Sequence, residues 1–199
     1  MSEQDKDLFN LAMSEESRPL LYALKKHIEE NVAPIEEEFH ALNEGKEDRW
    51  TWHPRQTELI EGAKRKAKEA GLWNFFLPDA ETGQGLNNLD YAYIATELGK
   101  YTLASESLNC SAPDTGNMEV LHMYGTPAQQ DAWLKPLLNG EIRSAFAMTE
   151  PDVASSDATN VECSITRDGD EYVLNGSKLF ITNAGEADVF SVFTNHDKS

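Results

Sequence analysis

The sequence predicts an α+β fold, with an all-α helical domain over residues 1–142 followed by an antiparallel β domain, barrel- or sandwich-like, over residues 143–199. In the first part, apolar residues recur every three or four positions, as on the buried face of a helix. After Ser144, apolar and polar residues alternate and Asx-Gly pairs typical of hairpin turns appear. Hydrophobic residues make up 40% of the 199 residues, which is enough for a packed core.

The first helix is predicted from six apolar residues spaced three or four positions apart, with acidic and basic residues on the opposite face. Pro34 interrupts this pattern, so a kink or a helix boundary is expected there. The six residues are Leu21, Leu24, Ile28, Val32, Ile35 and Phe39.

Two further helices are predicted over residues 55–70 and 89–98. Gly71 ends the first of them, because glycine accepts the left-handed conformation common at helix C-termini. Asn88 is the expected N-cap of the second, and Gly99 its end.

A fourth helix begins at Thr126, where Pro127 occupies the first position and Gln129 completes a capping box. Pro136 and Gly140 are expected to end it. The polar run 109–117 before this helix is predicted to be an ordered loop.

The β domain is predicted from short strands separated by two turns, Asp168-Gly169 and Asn175-Gly176. Val161, Cys163 and Ile165 alternate with polar residues. The expected strands cover residues 146–148, 161–165, 171–174, 177–182 and 189–194. So few strands leave an open sheet edge, and the chain is expected to be truncated.

The charge balance excludes several classes of function. The chain has 35 acidic and 17 basic residues, a formal net charge of −18. A nucleic-acid-binding protein or one that docks on an anionic membrane needs a basic surface instead. Two cysteines without a CxxC pair, and five histidines never spaced i, i+4, predict no metal site.

Targeting features are missing from the sequence. The N-terminal residues lack the basic and apolar segments of a signal peptide. No apolar stretch approaches the ~18 residues that a membrane span requires. We therefore expect a cytoplasmic protein without a membrane span.

Local motifs leave the chemistry open. Gly83-Gln84-Gly85 is only part of a dinucleotide fingerprint, and neither a Walker loop nor a Gly-x-Ser-x-Gly nucleophile elbow is present. Residues 144–157 combine a short strand, a proline turn and small hydroxyl residues. Such a loop can bind a phosphate or an amide, or it can be a turn without a ligand. Phe180 is predicted locally to be a core residue, although it could also flank a planar ring.

Two long motifs in the β region resemble those of the acyl-CoA dehydrogenase family. The first, A-x-x-x-T-E-P followed by S-D, covers residues 145–157. The second, D-G-D-x-Y-x-L-N-G-x-K-x-F-I-T-N, covers residues 168–183. Residues 125–140 also resemble the family's helical domain. The 109–119 run and an additional residue in 151–157 are similar to the subgroup related to members 10 and 11 of the mammalian family.

The resemblance implies an FAD-dependent oxidation of an acyl-CoA thioester to the trans-2-enoyl-CoA in fatty-acid β-oxidation, with electrons passing to an electron-transferring flavoprotein. It implies that Thr149 hydrogen-bonds near flavin N5 and that Ser156 also contacts the substrate. Position 180, usually tryptophan in the family, is phenylalanine here. The implied FAD-binding residues are Phe146, Ala147, Met148, Thr149, Ser155, Ser156, Phe180, Ile181 and Thr182.

The resemblance covers about half of a family member. The family's catalytic glutamate lies in a C-terminal helical bundle that we expect to be absent from this chain, and Glu150 matches a family position other than the base. The family also implies a homodimer or homotetramer. Two alternatives stay open: a flavin oxidase or monooxygenase of the same fold, and a non-enzymatic fragment that binds a partner.

Overall fold

The structure, a computed structural model, describes residues 11–48, 50–154 and 157–196. The chain divides into two units, Met1–Ser111 and Ala112–Ser199. The described part of the first unit is helical, and the second contains helices followed by strands. This confirms the α+β class. The predicted boundary at 142/143 between the helical and the β domain stays a prediction.

The helices of the first unit follow the predicted apolar pattern. Leu24 and Val32 are completely buried on the predicted apolar face, and Ile28 is nearly so. Helix α1 packs against α4, α2 against α3, and α3 against α5. The elements are α1 (Arg18–His27), a π-helical segment (Ile28–Val32), α2 (Ala33–Ala41), α3 (Pro54–Glu69), α4 (Asn88–Leu98) and α5 (Ala104–Ser107).

The helix ends agree closely with the sequence predictions. Gly71, with φ +71°, follows the end of α3, and Gly99 caps α4. The N-cap of α4 is Asn87, whose side chain accepts from the N–H of Asp90, so the expectation of Asn88 was wrong by one position. Pro34 lies at the start of α2, directly after the π-helical segment, which confirms the predicted boundary.

The second unit begins with helices. They are α6 (Asp114–Tyr124), α7 (Pro127–Gln129), a π-helical segment (Gln130–Leu134) and α8 (Lys135–Leu138). Thr126 and Gln129 form the predicted capping box. Pro136 is the second residue of α8 and does not end the helix, because the wider turn of the preceding π-helical segment accommodates its ring and its missing N–H.

Five short strands form two small sheets in the described residues of the second unit. They are β1 (Ser144–Ala147), β2 (Ser164–Asp168), β3 (Glu171–Asn175), β4 (Val189–Val192) and β5 (Asn195–His196). Strand β1 pairs with β4, and β2 lies between β3 and β5.

Only part of the predicted strand pattern is observed. The β2–β3 pair is antiparallel and turns at Gly169, as predicted. The β1–β4 and β2–β5 pairs are parallel, so the expectation of a purely antiparallel domain was wrong. Residues 177–182 do not form a strand of either sheet. They run past the end of β1, where Leu179 N–H donates to Thr149 O at 3.0 Å.

Among the described residues, no helix is both long enough and apolar enough to span a membrane. In the same part of the chain, His, Cys, Asp and Glu side chains form no group of three or more that could hold a metal ion.

Candidate functional site

A cavity of about 450 Å³ opens within the second unit. It is bounded by the start of α6, by β1 and the residues that follow it, and by the segment 180–182. Its lining residues are Ala112, Pro113, Thr115, Gly116, Phe146, Met148, Thr149, Phe180, Ile181 and Thr182.

The cavity brings together six of the residues singled out in the sequence. Phe146, Met148 and Thr149 belong to one wall, and 180–182 belong to another. Ala147 does not line the cavity. Alternate residues of a strand point to opposite faces, and Ala147 is buried at 4% exposure. Ser155 and Ser156 lie outside the described residues.

Phe180 occupies an unusual position at this cavity. Its side chain is 90% exposed, so the local prediction of a core residue was wrong. Its φ is +56°, a left-handed conformation that is rare for an aromatic residue. Burying an aromatic side chain away from water is favourable. An exposed ring at the edge of an apolar cavity is therefore well suited to stack on a planar ligand.

The cavity also offers polar groups. Thr115, Thr149 and Thr182 carry hydroxyls, and none of these makes a hydrogen bond to another of the described residues. Helix α6 begins at the cavity, and its N-cap residue Pro113 has no side-chain acceptor for the first N–H groups. The cavity therefore combines apolar walls with a few hydrogen-bonding groups, as small-molecule sites usually do.

A buried network fixes the start of α6 to β1. Asp114, at the first helical position, accepts from Ser144 N at 2.7 Å and from Arg143 Nε at 2.7 Å. Asn117, one turn later, donates to Ser144 Oγ at 2.9 Å. These contacts set the distance between the helix wall and the strand wall of the cavity.

A second buried network lies where β1 ends. Glu150 is 6% exposed, and its carboxylate accepts from Lys178 Nζ at 2.7 Å and from the backbone N–H groups of Glu162 and Cys163. The Lys178 ammonium lowers the pKa of the Glu150 carboxyl to about 2. Glu150 is thus a fixed anion rather than a group that exchanges protons near neutral pH.

The start of the cavity-lining helix was missed in the sequence. The run 109–117 was expected to be a loop, but α6 begins at Asp114, and residues 112, 113, 115 and 116 line the cavity. Pro113 followed by Asp114 is a usable helix-start pattern, since acidic residues are favoured in the first turn.

Two family models decide which family this is. The model described as "Acyl-CoA dehydrogenase, N-terminal domain" matches residues 14–141, and that described as "Acyl-CoA dehydrogenase, middle domain" matches residues 145–199. The chain belongs to the acyl-CoA dehydrogenase family. The resemblance inferred from the two β-region motifs is confirmed.

Individual acyl-CoA dehydrogenase relatives agree with this. Acyl-CoA dehydrogenase family member 11 of Gallus gallus is 50% identical over 175 residues, which are 86% of this chain and 22% of that protein. The subgroup expected from the sequence is thereby confirmed. This chain spans about a fifth of that relative's length.

Solved acyl-CoA dehydrogenase structures share the fold. One from Mycobacterium abscessus is 42% identical with a TM-score of 0.84, covering 94% of this chain and 48% of that one. Glutaryl-CoA dehydrogenase of Mycobacterium smegmatis in complex with FADH2 is 25% identical with a TM-score of 0.69, covering 96% and 45%. The chain therefore spans about half the length of these structures.

Proposed function

We propose that this chain provides the flavin-binding part of an FAD-dependent acyl-CoA dehydrogenase that oxidises an acyl-CoA thioester to the trans-2-enoyl-CoA in fatty-acid β-oxidation. The observation that supports it best is the cavity itself. Phe180 is exposed and lines the cavity together with Phe146 and Met148, in a family with a member solved in complex with FADH2.

The residues present fit an isoalloxazine ring. A flavin site needs apolar walls for the ring faces and a few donors for its polar edge. Phe146, Met148 and Phe180 supply the walls, and the hydroxyls of Thr149 and Thr182 can donate at the edge. Ile181 completes the lining. Ser155 and Ser156 remain proposed contacts to the FAD phosphate, and Ser156 also to the acyl chain.

When bound, FAD accepts the hydride that leaves the substrate's Cβ as a base removes the Cα proton. The chain's own residues have two tasks in that reaction. The aromatic and aliphatic side chains of the cavity exclude water from the ring, and the threonine hydroxyls hold its orientation. Both tasks require the walls to stay at a fixed separation.

The base is proposed to come from a part of the family fold outside these 199 residues. A general base works best with a pKa near the working pH, and Glu150, with a pKa of about 2 and an ion pair to Lys178, is unsuited to that role. Electrons would pass to an electron-transferring flavoprotein. A cytoplasmic homodimer or homotetramer, with a family-domain boundary near 142/143, completes the proposal.

Titration of this chain with FAD tests the proposal. We expect saturable binding, followed by flavin fluorescence and by a shift of the visible absorption bands. The Phe180→Ala variant should bind FAD about twofold to tenfold more weakly, since aromatic stacking contributes roughly 0.5–1.5 kcal/mol.

The matched control is Phe190→Ala. Phe190 is also an exposed aromatic residue of the second unit, at 45% exposure, and it does not line the cavity. Its removal should leave the dissociation constant for FAD unchanged. A folded wild-type chain that does not bind FAD, or equal weakening by both substitutions, would count against the proposal.

A further inference from the structure

Three segments of the second unit meet at one buried ion pair. Lys178 Nζ donates to Glu150 Oε1 at 2.7 Å and to Met148 O at 3.0 Å. Glu150 in turn accepts from the N–H of Glu162 at 2.7 Å and of Cys163 at 2.9 Å. The pair therefore joins the end of β1, the segment before β2, and the segment that follows β3.

Because this pair is buried, its contacts hold the three segments together more strongly than a surface ion pair would. The side chains of Glu150 and Lys178 are 5% and 11% exposed, so water replaces their mutual contacts poorly. Charge-assisted hydrogen bonds in such surroundings are shorter and stronger than neutral ones. Removing one partner leaves the other charge buried and unpaired, which is costly.

Lys178 stands immediately before the cavity wall formed by Phe180, Ile181 and Thr182. Leu179 N–H donates to Thr149 O at 3.0 Å, directly beside the ion pair. At the other end of the wall, Asn183 Nδ2 donates to Ser144 O at 3.3 Å. The wall is thus attached to both ends of β1.

The attached segment holds an unfavourable backbone conformation. Phe180 and Asn183 have φ values of +56° and +66°. A left-handed conformation is tolerated by asparagine but disfavoured for phenylalanine, so it persists only where neighbouring contacts hold it. On the N-terminal side of Phe180 the contacts are those of Lys178 and Leu179, and on its C-terminal side Ile181 O accepts from Ala184 N at 3.2 Å.

We infer that the Glu150–Lys178 ion pair is a positioning device for the cavity: it holds the Phe180–Thr182 wall against the end of β1 and thereby keeps the site open to a planar ligand. Neither Glu150 nor Lys178 lines the cavity. Both affect it only by fixing the position of residues 180–182. The identity of that ligand as FAD rests on the proposed function, whereas the positioning of the wall does not.

Hydrogen–deuterium exchange of the ligand-free chain tests the positioning directly. In Lys178→Met we expect the Leu179 amide to exchange about tenfold faster or more, because the segment loses its anchor. The amides of the β2–β3 pair should keep wild-type protection, which a general loss of structure would not allow. Lys178→Arg should restore protection at Leu179.

The matched control is Lys135→Met. Lys135 forms an ion pair with Asp131 at the surface of the same unit, with both side chains more than 60% exposed. Its removal should change neither exchange at Leu179 nor FAD binding. If Lys178→Met unfolds the chain, the double variant Glu150→Gln/Lys178→Met removes both buried charges and replaces it in the same measurements.

A parallel FAD titration separates the two proposals. If wild type binds FAD and Lys178→Met binds about tenfold more weakly with recovery in Lys178→Arg, both are supported. Wild-type chain that fails to bind FAD overturns the proposed function alone, since exchange at Leu179 is measured without flavin. Unchanged exchange at Leu179 in a folded Lys178→Met or double variant overturns the positioning role.

Discussion

Glu150 shows how an acidic residue beside a cavity can be unsuited to proton transfer. The Lys178 ammonium, together with the N–H groups of Glu162 and Cys163, lowers the pKa of its carboxyl to about 2. Because this pKa lies below the ordinary value of 4.5, the carboxylate stabilises the fold above pH 4.5, and the contribution is lost as the pH falls toward 2. The ion pair is therefore intact throughout the neutral range.

His27 should make the stability of the first unit depend on pH. Here the cause of the lowered pKa is burial of the side chain, whereas for Glu150 it is a charged partner. Its side chain is 4% exposed, Nδ1 lies 3.3 Å from Asn31 Nδ2, and Nε2 has no hydrogen-bond partner among the described residues. Burial, with a further contribution from Lys66, lowers the pKa of His27 below 6.5. Below that pH the unfolded chain binds the proton more readily, so stability should decrease as the pH falls through 6.5.

Urea unfolding of wild type and His27→Leu at about pH 8 and about pH 5.5 checks this prediction. At pH 8 both are neutral at this position, so the difference in the free energy of unfolding reports packing and the lost contact with Asn31, without a change of charge. On going to pH 5.5, wild type should lose more stability than the variant. An equal loss in the two proteins would show that His27 is not responsible.

At the scale of elements, the contact between α6 and β1 depends on Asp114. Its carboxylate accepts from Ser144 N and from Arg143 Nε, both at 2.7 Å, and the side chain is 6% exposed. Asp114→Ala should lower the free energy of unfolding by about 2–4 kcal/mol, because it leaves a largely buried guanidinium and a buried N–H without their acceptor.

Urea denaturation followed by far-UV circular dichroism measures the free energy of unfolding. The control variant is Asp131→Ala. Asp131 forms an exposed ion pair with Lys135, and its removal should cost less than about 1 kcal/mol. Equal effects of the two substitutions would mean that the buried network does not hold α6 on β1.

The elements predicted correctly are those with local determinants. The apolar spacing of α1 and α2, the Thr126 capping box and the Gly169 turn each depend on residues a few positions apart. The two π-helical segments were not predicted, although both end just before a proline, Pro34 or Pro136. A proline cannot donate to the carbonyl four residues earlier and its ring collides with it, so a wider turn relieves the collision.

The site could be predicted only in part, because its walls meet through non-local contacts. The motifs indicated Phe146 and Phe180 separately, but their common cavity depends on the parallel β1–β4 pairing and on Lys178 reaching Glu150. No spacing rule predicts a pairing between strands whose partners, such as Ser144 and Val189, are 45 positions apart in the chain. Pro113 and Gly116 were missed because a short polar run before a helix resembles a loop.

At the scale of the whole molecule, the dominant feature is a formal net charge of −18. Folding brings these charges closer together, so self-repulsion opposes the compact state. The Debye length falls from about 30 Å at 0.01 M salt to about 8 Å at 0.15 M, which screens all but the nearest pairs. Added salt should therefore favour the folded chain more than the expanded one.

We accordingly expect the melting temperature to rise by a few degrees, corresponding to roughly 0.5–1 kcal/mol, between 0.01 and 0.15 M NaCl. A variant with Glu29→Gln and Glu37→Gln, both exposed side chains of the acidic helix face, keeps the apolar core and reduces the net charge by two. Its melting temperature should start higher at low salt and rise less. If salt lowers the wild-type melting temperature instead, attractive ion pairs such as Arg55–Glu38 outweigh the net repulsion, and the charge balance does not limit stability.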